Sequence, residues 1–451
     1  MLKSILQKIQ NRHFLSLAGN ASMSILAMLS FAILYRKLSV TDIGYWIIFQ
    51  TAYSLMDTFR SGFLNTAIVT FYAGTSTQRK QEVTGSSWFI AFVITGSLSL
   101  ISFAFSFIPF GFDSLGVQLF LTWGGITFVA TLPSFIAACL VQADAQFDRF
   151  LVIRFISQAL FIIMLLVMPF FIEMNVKNVV IANLIAAIIT SFFTLIFRWT
   201  QVATIVNRSK ACVKELYAFG KYSFGSYLSS SLFRTTDNFI INTLLGPAAL
   251  AVYNLGIRLM EIVEIPLRAF VATALPELST AYNQQDKNGV IYATQKYIGM
   301  LTIALVPACL AAVLLADVAI NIIGGPKYLN TEAANVLRIY MAFALMYPLD
   351  RFFAVALDVI KMPKINFYKV LAMLAANVLA DYFGVLLFGN IYGIAMGTFF
   401  PILIGTLIGY YYLNKYQPFT FFSIFKIGYE ATNTIIKNAF SAIKYASKGT
   451  V

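Results

Sequence analysis

Residues 253–270 read YNLGIRLMEIVEIPLRAF. The run is largely apolar, yet it carries Arg258, Glu261, Glu264 and Arg268, with Pro266 among them. At about 100° per residue, the four ionisable groups of a helix with this sequence fall within about 120° of one another. Leu255, Leu259, Ile262 and Phe270 take the other side. One polar stripe on an otherwise apolar helix suits a membrane span that lines a polar cleft. Pro266 removes a backbone hydrogen bond, so a kink is expected close to Arg268.

The surrounding chain supports lipid as the solvent. Of its 451 residues, 59% are hydrophobic and 11% charged, and the mean hydropathy is +0.78. A soluble domain carries about 25% charged residues. Apolar stretches close to the roughly 20 residues that cross hydrocarbon recur throughout, whereas a β-barrel would show short alternating segments. The expected fold is an all-α polytopic membrane protein of about twelve transmembrane helices. Their expected bounds are 14–35, 43–73, 86–109, 116–141, 151–172, 178–200, 219–245, 249–275, 294–322, 333–360, 370–388 and 392–414.

The net charge of +13 does not point to nucleic acid, because the basic residues gather in alternate loops and at both ends. With the N-terminus inside, nineteen Lys and Arg fall on the cytoplasmic side, Lys287, Lys361, Lys364 and Lys369 among them. Only Arg36, Lys37, Lys177 and Lys327 fall outside, so both termini are expected in the cytoplasm. MLKSILQKIQNRHF has no small-residue cleavage site and reads as the lead-in to an uncleaved first span. Cys139, Cys212 and Cys309 give neither a disulfide framework nor a zinc spacing, and His13 is the sole histidine. No metal is expected. The absence of a G-x-x-x-x-G-K-[ST] motif argues against ATP as the energy source.

The polar stretch at 200–219 divides the chain into a six-helix lobe at 1–200, a cytoplasmic linker at 201–218 and a second six-helix lobe at 219–414. An even number of spans per lobe predicts a parallel repeat, related by pseudo-two-fold symmetry about an axis along the membrane normal. An offset of 208 residues pairs Tyr45 with Tyr253 and Arg60 with Arg268. Residues 415–451 read as an amphipathic tail: Ile436, Phe440 and Ile443 share a face, while Lys437, Lys444 and Lys448 lie elsewhere.

Six arginines sit within the expected spans away from the inner loops: Arg60, Arg234, Arg258, Arg268, Arg338 and Arg351. Each costs about 2.5–3.5 kcal/mol or more at the centre of a lipid-facing helix, so each needs a cavity or a partner. Asp57–Arg60, Arg234–Asp237, Arg258–Glu261 and Glu264–Arg268 are three or four apart, close enough to pair along a helix. Asp350 and Arg351 are adjacent and need other partners. Two roles remain open for these groups: mutual pairing, or anion binding along a ladder of guanidinium groups. Arginine suits phosphate because its planar fork donates two hydrogen bonds and stays charged. Asp57, Asp237, Glu261 and Glu264 are candidates to carry a coupling H+ or Na+. Asn20, Ser24, Ser229 and Asn238, on the first and seventh spans, are candidates to contact a polar ligand. Pro133, Pro307, Pro348 and Pro401 interrupt other spans, as bent helices around a cleft require.

The stretches DNFIINTLLGPAALAVYNLGIRL and PLRAFVATALPELSTAY, with LAGNASMSILAMLSFAILYRKLSVTDIGYW near the start, resemble bacterial polysaccharide-repeat flippases of the Wzx type. These belong to the superfamily that also holds multidrug and toxin extruders and the lipid II flippases. The resemblance covers about residues 10–415. It implies two six-helix lobes forming a V around a central cavity lined by spans one, two, seven and eight. It also implies an undecaprenyl-diphosphate-linked oligosaccharide as cargo, moved from the inner to the outer leaflet for surface polysaccharide such as O-antigen. Arg60, Arg234, Arg258 and Arg268 sit on the corresponding helices, where they would hold the diphosphate. An acid beside each departs from a simple cationic cavity.

The expected function is therefore a secondary transporter in the bacterial inner membrane, a flippase without cofactor and not an enzyme. Its partners would be the lipid-linked glycan, membrane lipids and the polysaccharide polymerase machinery. A cation-coupled drug or metabolite exporter of the same superfamily is the alternative. A glycan polymerase or ligase would need a substantial outer loop, and the outer loops are about ten residues or fewer.

Overall fold

The computed structural model describes residues 12–107 and 114–448. The side chains of residues 12–21, 222, 226, 435, 436 and 438–448 are not described. Among the described residues the chain is all-α, with no strand. The first half contains α1 (Arg12–Lys37), α2 (Val40–Tyr72), α3 (Thr77–Ser106), α4 (Leu115–Ala130), α5 (Leu132–Ala143), α6 (Phe147–Val167) and α7 (Val176–Ile196). Then come α8 (Lys210–Leu244), α9 (Pro247–Arg258), α10 (Glu261–Asn283), α11 (Lys287–Leu314), α12 (Ala316–Gly324), α13 (Ala333–Ala344) and α14 (Tyr347–Val359). The last are α15 (Pro363–Phe388), α16 (Ile391–Gly397), α17 (Phe399–Tyr416) and α18 (Ser423–Lys448). Each of the twelve expected spans is met by one helix or a consecutive pair.

Side chains set many of the starts. Ser39, Ser76, Asn175, Ser209 and Asp286 each accept a hydrogen bond from the amide three residues on. They satisfy donors that a helix cannot satisfy itself. Large apolar side chains such as Leu100, Ile163, Phe192, Leu386 and Leu387 stand more than half exposed. In water this would be untenable; in a bilayer it is the lipid-facing surface.

Among the described residues, six helical segments are long and apolar enough to cross a membrane unaided: α3, Phe147–Phe170, α7, α11, α15 and Ile391–Tyr416. Two further spans are bent pairs, α4–α5 by 45° and α13–α14 by 48°. The spans left over are α1, α2, α8 and α9–α10, the first, second, seventh and eighth. Their polar and charged residues set them apart, and three of them hold most of the candidate site residues.

By contact the chain forms two compact units, Met1–Ala251 with Ile323–Gly325, and Val252–Ile322 with Pro326–Val451. The division falls after the seventh span rather than in the 201–218 linker. In the first unit, α2 and α8 pack antiparallel over much of their length. Thr51 faces Asn238, Thr58 faces Ser231, and Phe63 stacks on Phe224. The linker is held too: residues 202–207 form a short 3-10 helix against α3, and Trp88 Nε1 donates to the Thr200 carbonyl at 2.9 Å. A Cβ on Gly85 would collide with the Thr204 carbonyl.

In the second unit, the first turns of α18 cross α11 where Gly299 meets Gly428, and a Cβ on either would strike the other helix. Gln295 adds a hydrogen bond to Ser423. The tail is thus helical and docked at its start. The side chains of Ile436, Phe440, Ile443, Lys444 and Lys448, on which its amphipathic reading rests, lie outside the described residues.

Candidate functional site

In the first unit, Arg60 is the most completely engaged of the candidate arginines. Its side chain is 2% exposed. Nε and Nη2 donate to Asp57 Oδ1 at 3.2 and 2.6 Å, Nη1 to the Phe128 carbonyl at 3.0 Å, and Nη2 to Thr131 Oγ1 at 3.1 Å. The guanidinium lies 4.2 Å from the centroid of the Phe128 ring and 4.5 Å from that of Phe135. It satisfies the C-terminus of α4 where α4 and α5 bend apart, a favoured place for a cation. Arg60 therefore ties α2 to a broken span.

Arg234, on α8, is exposed. The expected Arg234–Asp237 pair is absent: among the described residues no carboxylate lies within 4.0 Å of Arg234. Side chains on a helix lean toward its N-terminus. An arginine placed before its acid leans away from it, while one placed after leans back onto it. Asn238 donates to Thr51 Oγ1 at 2.9 Å, and Ser229 to the Gly225 carbonyl at 2.9 Å. Asn20 lies on α1, and its side chain is outside the described residues.

Near Arg60 is a cavity of about 290 Å³ whose polar edge is Thr131, Ser134, Arg154, Ser157, Gln158 and Thr190. Thr131 belongs both to this cavity and to the Arg60 cluster. Arg154 is exposed and has no ion pair among the described residues; its near neighbour is the Phe150 ring at 5.5 Å. Sequence reasoning overlooked Arg154. The available signal was the i, i+3, i+4 spacing of Arg154, Ser157 and Gln158 at the start of an otherwise apolar span.

In the second unit, the opening stretch is not one continuous helix. It breaks at Leu259–Met260, well before the expected kink at Pro266, which sits inside α10. Proline lacks an N–H and its ring displaces the carbonyl four residues back, here Ile262. The backbone just upstream tightens into i to i+3 bonds: Met260 N to Ile257 O at 2.8 Å, Ile262 N to Leu259 O at 3.2 Å, and Val263 N to Met260 O at 2.9 Å. Glu261 and Glu264 thereby occupy the first turn of α10, where the helix dipole favours anions.

Arg268 reaches back along α10 to Glu261 at 2.7 Å and Glu264 at 3.8 Å. The expected Arg258–Glu261 pair is replaced by Glu261–Arg268: the break at Leu259–Met260 puts Arg258 and Glu261 on different helices, while Arg268 leans back onto the first turn of α10. All three members of the cluster are about half exposed, so solvent screening keeps the pairs weak.

Arg338 lies apart. It binds Asp317 at 2.5 Å, Asn335 at 2.7 Å and the Val313 carbonyl at 3.4 Å. Arg351 is exposed, with no carboxylate within 4.0 Å among the described residues, whereas Asp350 accepts from Lys369 at 2.7 Å. Lys369 was counted with the inner loops; it is 1% exposed on α15. Removing it from that count leaves the charge bias strongly one-sided. Among the described residues no group of three His, Cys, Asp or Glu is placed to hold a metal.

The chain matches the polysaccharide biosynthesis protein family over residues 33–333. No curated protein sequence matches it. Among solved structures, it is similar to an inward-facing multidrug resistance MATE family transporter of the MOP superfamily, with TM-score 0.74 and 14% identity, covering 87% of this chain and 95% of that one. It is also similar to lipid II flippase MurJ in an inward closed conformation, with TM-score 0.70 and 15% identity over 94% and 92% of the two chains. A MOP superfamily transporter from Pyrococcus furiosus follows at TM-score 0.55 and 16% identity, over 89% and 96%. At these identities the likeness is one of fold.

Proposed function

We propose, from the premise that this chain belongs to the polysaccharide biosynthesis protein family, that it is a flippase for an undecaprenyl-diphosphate-linked oligosaccharide. It carries the lipid-linked glycan from the inner to the outer leaflet of the bacterial cytoplasmic membrane by alternating access, with both termini in the cytoplasm. The fold it shares with MOP superfamily transporters supports a transport role.

One observation carries the choice of an anionic cargo. Arg154, Arg234 and Arg351 are exposed guanidinium groups on membrane helices with no ion pair among the described residues. An unneutralised arginine on a membrane span is costly unless an anion meets it or, as near the start of a span, its side chain reaches the surface. A diphosphate supplies that anion and matches the guanidinium fork. Arg60, by contrast, holds the scaffold. Glu261 and Glu264 share one arginine, which leaves a carboxylate to take the coupling H+ or Na+.

The same surplus favours a second reading. Two exposed carboxylates against Arg268 give the α10 cluster a net charge of −1, which suits an organic cation and hence a drug exporter. Cells carrying Arg234→Ala or Arg154→Ala separate the two. Under the flippase reading, surface glycan is lost while drug accumulation is unchanged and the protein stays in the membrane. Unchanged glycan in these variants, together with increased drug accumulation in Glu261→Gln combined with Glu264→Gln, would replace the flippase reading with the exporter.

A further inference from the structure

The second unit contains a cavity of about 750 Å³ that the transport account does not use. Lys287, Lys361, Lys364 and Lys415 stand around it, and Tyr412 and Tyr416 form its apolar wall with Met362 and Ile365. All four lysines are exposed, none has an ion pair among the described residues, and no carboxylate lines the cavity. The nearest acid in sequence, Asp286, is occupied as the cap of α11, accepting from Gly289 N at 2.8 Å.

Three membrane-crossing segments end here: α11 and α15 begin at Lys287 and Pro363, and α17 finishes at Tyr416. The cavity therefore lies at the boundary between hydrocarbon and water. The start of α15 has no side-chain cap, so the Lys364 amide and the helix dipole add to the positive field. Lys287 lies over the Tyr416 ring at 5.3 Å.

We propose that this basin binds the phosphate of a membrane lipid, with the lipid's glycerol or prenyl portion against the tyrosine wall. Four ammonium groups with no ion pair among the described residues, beside an apolar surface, match an amphiphile with an anionic head. A soluble phosphate would gain nothing from the apolar half. The inference needs only that the chain sits in a bilayer, and it stands whichever cargo is transported.

The test uses the full chain, delipidated in detergent and titrated separately with phosphatidylglycerol, a polyprenyl diphosphate and phosphatidylcholine. Bound lipid is counted by native mass spectrometry. Lys361→Gln combined with Lys364→Gln is expected to weaken anionic lipid binding by about tenfold or more, each lysine near a membrane surface contributing roughly a fivefold factor. Lys361→Arg with Lys364→Arg retains binding. Lys210→Gln with Lys214→Gln, an equal charge change on exposed lysines of the first unit, leaves it unaltered. Selective binding of phosphatidylglycerol identifies bulk lipid as the occupant, and selective binding of the diphosphate identifies a polyprenyl carrier. Equal binding of phosphatidylcholine, or equal loss in the Lys210/Lys214 variant, overturns the proposal.

Discussion

At the scale of the residue, the order of charges along a helix decides which arginines are spoken for. Asp57–Arg60 and Glu264–Arg268 place the acid first, and both pairs form. Arg234–Asp237 places the arginine first, and that ion pair is absent among the described residues, while Arg258 and Glu261 are parted by the break at Leu259–Met260. Arg79–Glu82, formed at 2.7 Å at the start of α3, shows the order to be a bias and not a law. Spacing in the sequence revealed all four candidate pairs, but the direction of helical side chains and the break in the eighth span separate the pairs that form from those that do not. Asp317 and Lys369, twenty or so residues from their partners, were beyond any local pattern. The consequence is a split between structural and functional arginines. Arg60→Ala or Asp57→Asn breaks a largely buried pair, worth about 3–5 kcal/mol, and should lower the thermal unfolding temperature in detergent. Arg234→Ala should leave that temperature unchanged, since the side chain is exposed and makes no ion pair among the described residues.

At the scale of the element, proline and glycine act at a distance from where they are written. The twelve expected spans each meet a helix, because hydrophobic length is a direct consequence of bilayer thickness. Their breaks were less legible. Pro266 loosens Leu259–Ile262, and the α4–α5 bend at Thr131 is stabilised by Arg60 on a different helix. Pro266→Ala restores an N–H donor for the Ile262 carbonyl and removes a defect costing about 3 kcal/mol in a helix interior. It should raise thermal stability while slowing transport, measured as the rate of glycan export. Gly299→Leu or Gly428→Leu forces α18 off α11. Limited proteolysis should then cut the tail readily, where the unaltered protein is protected; equal cleavage would contradict the docked helix.

At the scale of the molecule, lipid is the solvent that makes this composition workable, and the four polar spans are the ones to which the proposed function assigns the cargo. The contact units divide after the seventh span because α2 and α8 pack along their length, a long-range fact that no local sequence pattern states. Orientation is open to a direct check, since Cys139, Cys212 and Cys309 are buried and give a quiet background. A cysteine at Lys177 should react with an impermeant maleimide in intact cells, and one at Lys426 should not. The central claim is that an unneutralised guanidinium carries the phosphate of a lipid-linked glycan. Its most direct test is the rate at which the purified protein in liposomes moves an undecaprenyl-diphosphate-linked oligosaccharide between leaflets. Arg234→Ala should abolish this movement and Arg234→Lys should retain part of it, with both variants as stable as the unaltered protein. Undiminished movement by a correctly inserted Arg234→Ala protein would contradict the account.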